Sequence, residues 1–458
     1  MLSKLALSTL ALALGANASY AQIDFDHGGG IPPGYLTMPQ DHTYVAPPVI
    51  IPLPTPVVTP DEPKAQAEWT IMVFVNGKND LEQFAMRDIN EMEMVGSSSK
   101  LNIVVEMGRI EGYDSTDGDW KGVRRYLVQK DDDTSKISSP VVEDLGMADM
   151  GDYRTLVDFA KWAKAKYPAK RTMLIVWNHG SGWTKGGRPR IVKGISYDEQ
   201  SGNHITTPQL GAALAAIGKV DVYGSDACLM QMPEVAYEIK DYAEYIVGSE
   251  ETEPGDGYTY NTFLGPVAAR PTMSAYDLAK VTVDAYSDHY DSQDTGYTQS
   301  FIKSSELAGL LTKVNEFAYA ITQAGEKQVA QRARDAAINF AVEENRDLHH
   351  FASLVVANSQ NAEVKAKGQA LMTHITSALV KHHRSKDDPG GWWTEPKDFS
   401  TTRGIAIYIP SGATGAGYAD LKWAQYSNWD EFLVWLNQRE PQPVVEAVDQ
   451  PVQQPAQP

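Results

Sequence analysis

Apolar positions along this 458-residue chain follow two different periods, and the change between them divides it. Residues 69–75 (WTIMVFV) are apolar almost without a break, the pattern of a strand buried on both faces. Residues 101–107 (LNIVVEM), 172–177 (TMLIVW) and 220–225 (VDVYGS) read the same way. Helical spacing lies between these runs. The turn NGKND leads into a predicted helix over 81–95, and Asp152 caps a helix carrying Leu156, Phe159, Ala163 and Tyr167 before Pro168 ends it. Thr207-Pro208 opens another helix with Leu210, Leu214 and Ile217 on one face, stopped at Gly218, and AYEIKDY lies on the helix after the strand at 220–225. Strand and helix alternating in this way predict an α/β fold with a mostly parallel sheet and helices on both faces.

Beyond about residue 271 the period becomes helical. Ser274 to Asp277 form a capping box before Leu278, Val281 and Ala285. Leu307, Leu310, Val314, Phe317 and Ile321 continue the spacing, and 364–382 reads as a further helix. One strand returns late, RGIAIYIP at 403–410, available to rejoin a sheet. The pattern thus predicts an α/β domain over 66–270 and a mainly helical lobe over 271–440.

Neither end fits this scheme. Residues 1–21 place one lysine before a short apolar run, and Ser19-Tyr20-Ala21 has the small-x-small form of a cleavage site. The run is far shorter than the roughly 20 apolar residues that span a bilayer, so it predicts a signal peptide cut after Ala21 and no membrane anchor. Residues 22–65 are proline-rich, as in a linker or pro-segment, and 441–458 form a Pro/Gln-rich tail expected to be disordered. A periplasmic or secreted location follows.

Charge narrows the partners. With 59 acidic and 40 basic residues the net charge is −19, which disfavours nucleic acid and anionic membrane surfaces. The chain has a single cysteine, Cys228, so no intramolecular disulfide can form. Its setting is SDAC, just after one predicted strand, while NHGSGW, with His179, follows another. Functional groups gather at the carboxyl ends of strands in open α/β sheets. If the two strands are neighbours, His179 and Cys228 emerge side by side, with Gly180 allowing close backbone approach. A helix soon after Cys228 is expected to favour its thiolate. A lone cysteine is ordinarily a small buried hydrophobe; what raises the chemical reading is the pairing of the two motifs. His349-His350 and His382-His383 fall in helical patterns at adjacent positions that do not face each other, and read as surface or packing residues rather than zinc ligands.

WTIMVFVNGKNDLE, NHGSGW, ISYDEQSGNHIT, SDACLMQMPEVAYE, GSEETEPGDGY and GIAIYIP together resemble the clostripain-like cysteine peptidases, relatives of caspases, gingipains and legumains. The resemblance runs from about residue 69 to 435. It implies a caspase-like α/β/α sandwich, a Cys228–His179 dyad, an oxyanion hole from the backbone of Gly180 and Cys228, and cleavage after Arg or Lys through a thioester. Asn178 stands where relatives often have Asp. Asp226 shares a rim with Cys228 if the chain stays extended, and the resemblance places it in the pocket for a basic P1 side chain, where a carboxylate gains a charge-assisted hydrogen bond. It reads alternatively as a carboxylate bonding turn amides. Asp256, in EPGDGY, is a second pocket candidate or a turn residue. Residues 184–194 carry Lys185, Arg188, Arg190 and Lys193, and Lys193 is the candidate for self-cleavage. No cofactor is required for this chemistry; calcium is a candidate by resemblance, and no EF-hand-like loop is present. The reading is an exported cysteine endopeptidase. The alternative is a non-catalytic binding or scaffold protein that kept the fold.

Overall fold

The computed structural model describes residues 66–183, 194–390 and 395–438. The expected signal peptide, proline-rich segment and C-terminal tail, and the cleavage candidate Lys193, lie outside these residues. The fold is the expected α/β sandwich around one large, mostly parallel sheet. Its strands in chain order are β1 (Ala67–Gly77), β2 (Leu101–Arg109), β3 (Gly122–Leu127), β4 (Val141–Gly146), β5 (Ala169–Trp177), then β6 (Gly194–Asp198) and β7 (Asn203–Thr206) as a separate hairpin. They continue with β8 (Val220–Asp226), β9 (Ala243–Gly248), β10 (Tyr297–Lys303), β11 (Asn345–Asp347), β12 (Val380–Lys386) and β13 (Ala406–Tyr408). The nine-stranded order is β12-β10-β9-β8-β5-β1-β2-β3-β4. Strands β2, β1, β5, β8 and β9 run parallel at its centre, and antiparallel pairs flank them on both sides.

The unbroken apolar runs are explained by two cores. In β1, Trp69, Ile71, Val73 and Val75 pack on one face while Met72 and Phe74 pack on the other, all fully buried. The first face is covered by α1 (Glu82–Glu93), α5 (Tyr260–Ala269) and α6 (Ala275–Ser292). The opposite face carries α2 (Tyr153–Lys166), α3 (Thr207–Ile217), α4 (Pro233–Ile239), α7 (Leu307–Gln323), α8 (Lys327–Ala336), α9 (Leu348–Asn358), α10 (Ala362–His374), α11 (Lys422–Tyr426) and α12 (Trp429–Asn437). Caps fall where the residues predict them at Asp152 and Ser274, and α3, opened by Thr207-Pro208 as expected, is capped by Thr206.

The chain beyond 271 is mainly helical, as expected, and its strands β10 and β12 extend the main sheet from β9. Two details differ. The late strand pairs with β11 in a two-stranded sheet instead of rejoining the main one. Residues 380–386 are strand, not helix, so His382 and His383 point to opposite faces: His382 meets Asp284 at 2.6 Å and His383 approaches Glu250 at 3.8 Å. The polar run YTQSFIK hides β10 from a hydrophobicity reading, since Thr298, Gln299 and Ser300 are buried by hydrogen bonding.

A buried carboxyl pair joins the loop after β9 to the helical layer. Glu250 is hydrogen-bonded to Asp347 and accepts the Gly404 N–H at 3.1 Å, while Asp347 caps α9 through the His350 N–H at 2.6 Å. Burial pushes Asp347 up to about 6 and Glu250 well above the usual carboxylate range. The folded chain therefore keeps a proton that the unfolded chain releases, and this contribution to stability falls as pH rises from about 4 through about 6. Glu250→Gln should flatten the decline in thermal midpoint between pH 4 and pH 6; an unchanged decline would contradict the shared proton.

Candidate active site

Register builds the site. Strands β5 and β8 are adjacent and parallel, with Trp177 opposite Asp226, and the Asn178 N–H continues the ladder to the Asp226 carbonyl at 3.1 Å. His179 and Cys228 are each two residues beyond that pair, so both leave the sheet at one place. Gly180 lies against the backbone of the second motif: a Cβ there would stand 2.5 Å from the Cys228 carbonyl oxygen and 2.9 Å from Ala227 Cβ. Only glycine permits this approach. Leu229, next to the cysteine, adopts φ +66°, a left-handed conformation unusual for a branched residue. It is fixed by the Leu229 N–H to Glu251 O at 3.0 Å and the Gln231 N–H to Ser249 O at 2.9 Å.

The departure at Asn178 has a structural role. Its side-chain amide donates to Asn76 O at 2.6 Å and its oxygen accepts the Tyr197 N–H at 2.6 Å. Asn178 thus pins the His179 loop between the end of β1 and the β6 turn. His179 itself is part-exposed, and its Nε2–H donates to Asp80 Oδ1 at 2.7 Å. The hydrogen bond from His179 and its charge hold the Asp80 carboxyl below the usual range. Sequence reading passed over Asp80, which sits in the turn after β1; the signal was its place at the carboxyl end of the strand beside β5.

Cys228 is 5% exposed, and its Sγ accepts the Glu253 N–H at 3.3 Å. Burial, then the nearby Glu253 carboxyl, pushes the thiol up to about 12. The expected helix-terminus effect is corrected by geometry: α4 begins only at Pro233 and is too far along the chain to favour a thiolate at 228. In this state the thiol is protonated.

Asp226 is also enclosed, and the tyrosines that bind it belong to the core opposite the one that holds Cys228. Its Oδ1 accepts the Tyr258 N–H at 3.0 Å and its Oδ2 accepts the Tyr260 hydroxyl at 2.8 Å. Burial raises it to about 7 against these hydrogen bonds. The turn-amide reading describes this state of Asp226. Asp256 is set apart, held to about 2 by a hydrogen bond from His289 (3.1 Å) and by the Arg87 guanidinium (2.7 Å). Glu253, missed from sequence, is bonded to Asp226 and to Gln299 and is raised well above its usual range by burial. With buried Asp88, whose Oδ2 accepts from Trp177 Nε1 at 2.7 Å, these groups make a strongly acidic interior beside the thiol. Among the described residues no group of three or more His, Cys, Asp or Glu is placed to hold a metal ion.

The clostripain family (peptidase C11) model matches residues 73–434. Clostripain from Hathewaya histolytica is 26% identical over 221 residues, covering 44% of this chain and 42% of its own length. A secreted C11 cysteine protease from Bacteroides thetaiotaomicron, solved with an irreversible peptide inhibitor, superposes with TM-score 0.61 at 20% identity, over 80% of this chain and all of that one. An inactive zymogen C11 protease from Parabacteroides distasonis gives TM-score 0.61 at 19% identity, over 79% and 98% of the two chains. At these identities the structures share the fold.

A buried, protonated thiol should resist simple alkylation. At pH 7.5 iodoacetamide should modify Cys228 in the uncut chain at least roughly 100-fold more slowly than free cysteine. A rate equal to that of free cysteine would contradict the geometry.

Proposed function

The chain belongs to the clostripain family, and from that premise we propose that it is an exported cysteine endopeptidase that cleaves after Arg or Lys, with Cys228 as nucleophile and His179 as proton carrier. One observation carries the reading: the β5–β8 register delivers the sole cysteine and His179 to the same sheet edge, with Gly180 packed on the cysteine's backbone. The reaction begins by moving the Sγ proton to His179 as Sγ attacks the scissile carbonyl. Backbone N–H groups of Gly180 and Cys228 hold the oxyanion; losing one such donor costs roughly 2.7–4 kcal/mol. His179 then protonates the leaving amine, and water resolves the thioester.

Specificity follows from charge. A P1 guanidinium or ammonium that reached Asp226 would replace the Tyr260 hydroxyl and drive off a proton held at about 7. Glu253 would share the cation, and Asp256 would set the rim, its charge already balanced by Arg87. Self-cleavage after Lys193 would leave Gly194 as a new N-terminus at the start of β6, its pairing with Thr206 intact. The preceding described residue, Trp183, is packed edge-on against Tyr408 and Tyr418 at 4.9 and 4.6 Å. Among the described residues no helix is long and apolar enough to cross a membrane. The enclosed Cys228 and Asp226 are also what a non-catalytic binding protein would show, so hydrolysis must separate the readings.

Fluorogenic peptides with Arg or Lys at P1 should be cleaved, those with Asp should not, and Cys228→Ala should abolish turnover. Asp226→Asn should lower kcat/KM by roughly 10- to 100-fold, the worth of a hydrogen bond to a charged group. Silence of the wild type before and after cutting at 184–194 would sink the peptidase reading. N-terminal sequencing should find a fragment that starts at Gly194 in wild type and is missing in Cys228→Ala.

A further inference from the structure

We propose that Asp80 is a positioning residue of this active site: it binds His179 through Nε2 and leaves Nδ1 to exchange protons with Cys228 and substrate. The inference rests on the peptidase reading above.

An exposed carboxylate touching a part-exposed histidine is ordinarily worth little. What sets this pair apart is the foundation under both partners. The turn that presents Asp80 is N-G-K-N-D, and its other polar members are buried. Asn76 donates to Ser196 Oγ (3.1 Å) and Tyr197 O (3.0 Å), and Asn79 donates to Tyr197 O (2.8 Å). Lys78 is buried against Asp198 at 2.8 Å and donates to Ala148 O. The Asn79 side-chain oxygen accepts the Leu81 N–H at 3.0 Å, which closes the turn around Asp80. The histidine rests on the same foundation, since Asn178 bonds Asn76 O and the Tyr197 N–H. Four buried polar side chains thus converge on one short segment, 196–198, and the two groups they carry outward meet at 2.7 Å. Burying so many polar groups costs free energy unless each is paired, and a casual surface contact would need none of it. Lys78, the cation on this turn, is neutralised by Asp198, so Asp80 is the charge that His179 meets.

The chemistry follows from which nitrogen is taken. With Nε2–H donating to Asp80, the neutral ring carries its lone pair on Nδ1. Cys228 Sγ–H gives its proton to Nδ1 while Sγ bonds to the scissile carbon. The imidazolium now has both nitrogens protonated, and Asp80 stabilises that charge without taking a proton. Nδ1–H then protonates the departing nitrogen as the C–N bond breaks, leaving the thioester and a neutral ring. Water next gives its proton to Nδ1 as its oxygen attacks the thioester carbon, and that proton returns to sulfur when the acid leaves.

Asp80→Asn should lower kcat by roughly 100-fold or more while KM stays within about twofold. The acidic limb of the kcat/KM profile should move to lower pH, because the imidazolium has lost its counter-charge. Asp80→Glu should recover part of kcat, and the thermal midpoint should barely move, since the carboxylate is exposed. Turnover within twofold of wild type, or a loss with an unmoved profile, would overturn the proposal. A second reading does not need turnover: histidine 15N shifts, with His179 assigned through His179→Gln, should show the Nε2–H form in wild type and a mixture in Asp80→Ala. An Nδ1–H form in wild type, or identical spectra, would overturn the positioning role even if peptides were cleaved. Silent peptides with the expected spectra would instead count against the peptidase reading alone.

Discussion

The pairing of Trp177 with Asp226 across two parallel strands is the constraint on which the site depends. In a parallel ladder the two strands end on the same side of the sheet, so whatever follows each pair emerges together. A one-residue slip of either strand would turn its motif to the wrong face and away from the other. The central strands are buried on two sides, and that double burial fixes the register. Gly180 then lets the histidine loop press against the cysteine's backbone, and the left-handed Leu229 turns the chain away immediately afterwards. The geometry of the candidate site is a consequence of strand order and of two local backbone requirements.

Around that edge the protein concentrates protons where water cannot reach them. Asp88, Asp226, Glu253 and the Cys228 thiol all sit above their ordinary ranges, and burial is the first cause for each. Farther out, Glu250 and Asp347 repeat the arrangement where the loop after β9 meets the helical layer. The state described is therefore electrically quiet despite its many carboxyl groups. A bound cation would reverse this locally: it favours ionised carboxylates and would change the contacts of Tyr260 and Glu253. Substrate charge and site chemistry are linked through the same buried groups.

Much of this was legible in the sequence, because hydrophobic runs report burial directly. Strands β1, β2, β5 and β8 and the helices capped at Asp152, Thr206 and Ser274 could be found that way, as could His179 and Cys228 at the strand ends. Strands β10 and β12 could not: one buries Thr298, Gln299 and Ser300 through hydrogen bonds, and the other reads VKHHRSK with no apolar alternation. Asp80 and Glu253 were hidden for a different reason. Their roles come from contacts across 99 residues and 25 residues of chain, which local spacing does not record. The contact between Asp226 and Tyr260 was invisible for the same reason.

The most direct test of the account is covalent labelling with arginyl and lysyl chloromethyl ketone peptides, located by peptide-mapping mass spectrometry. The account predicts one adduct, on Cys228, formed far faster than iodoacetamide modifies the same thiol, because the ketone is aligned by its basic side chain and His179 takes the proton. An aspartyl ketone should leave the protein unlabelled. Equal labelling by the aspartyl reagent, or an adduct at any residue other than Cys228, would contradict it.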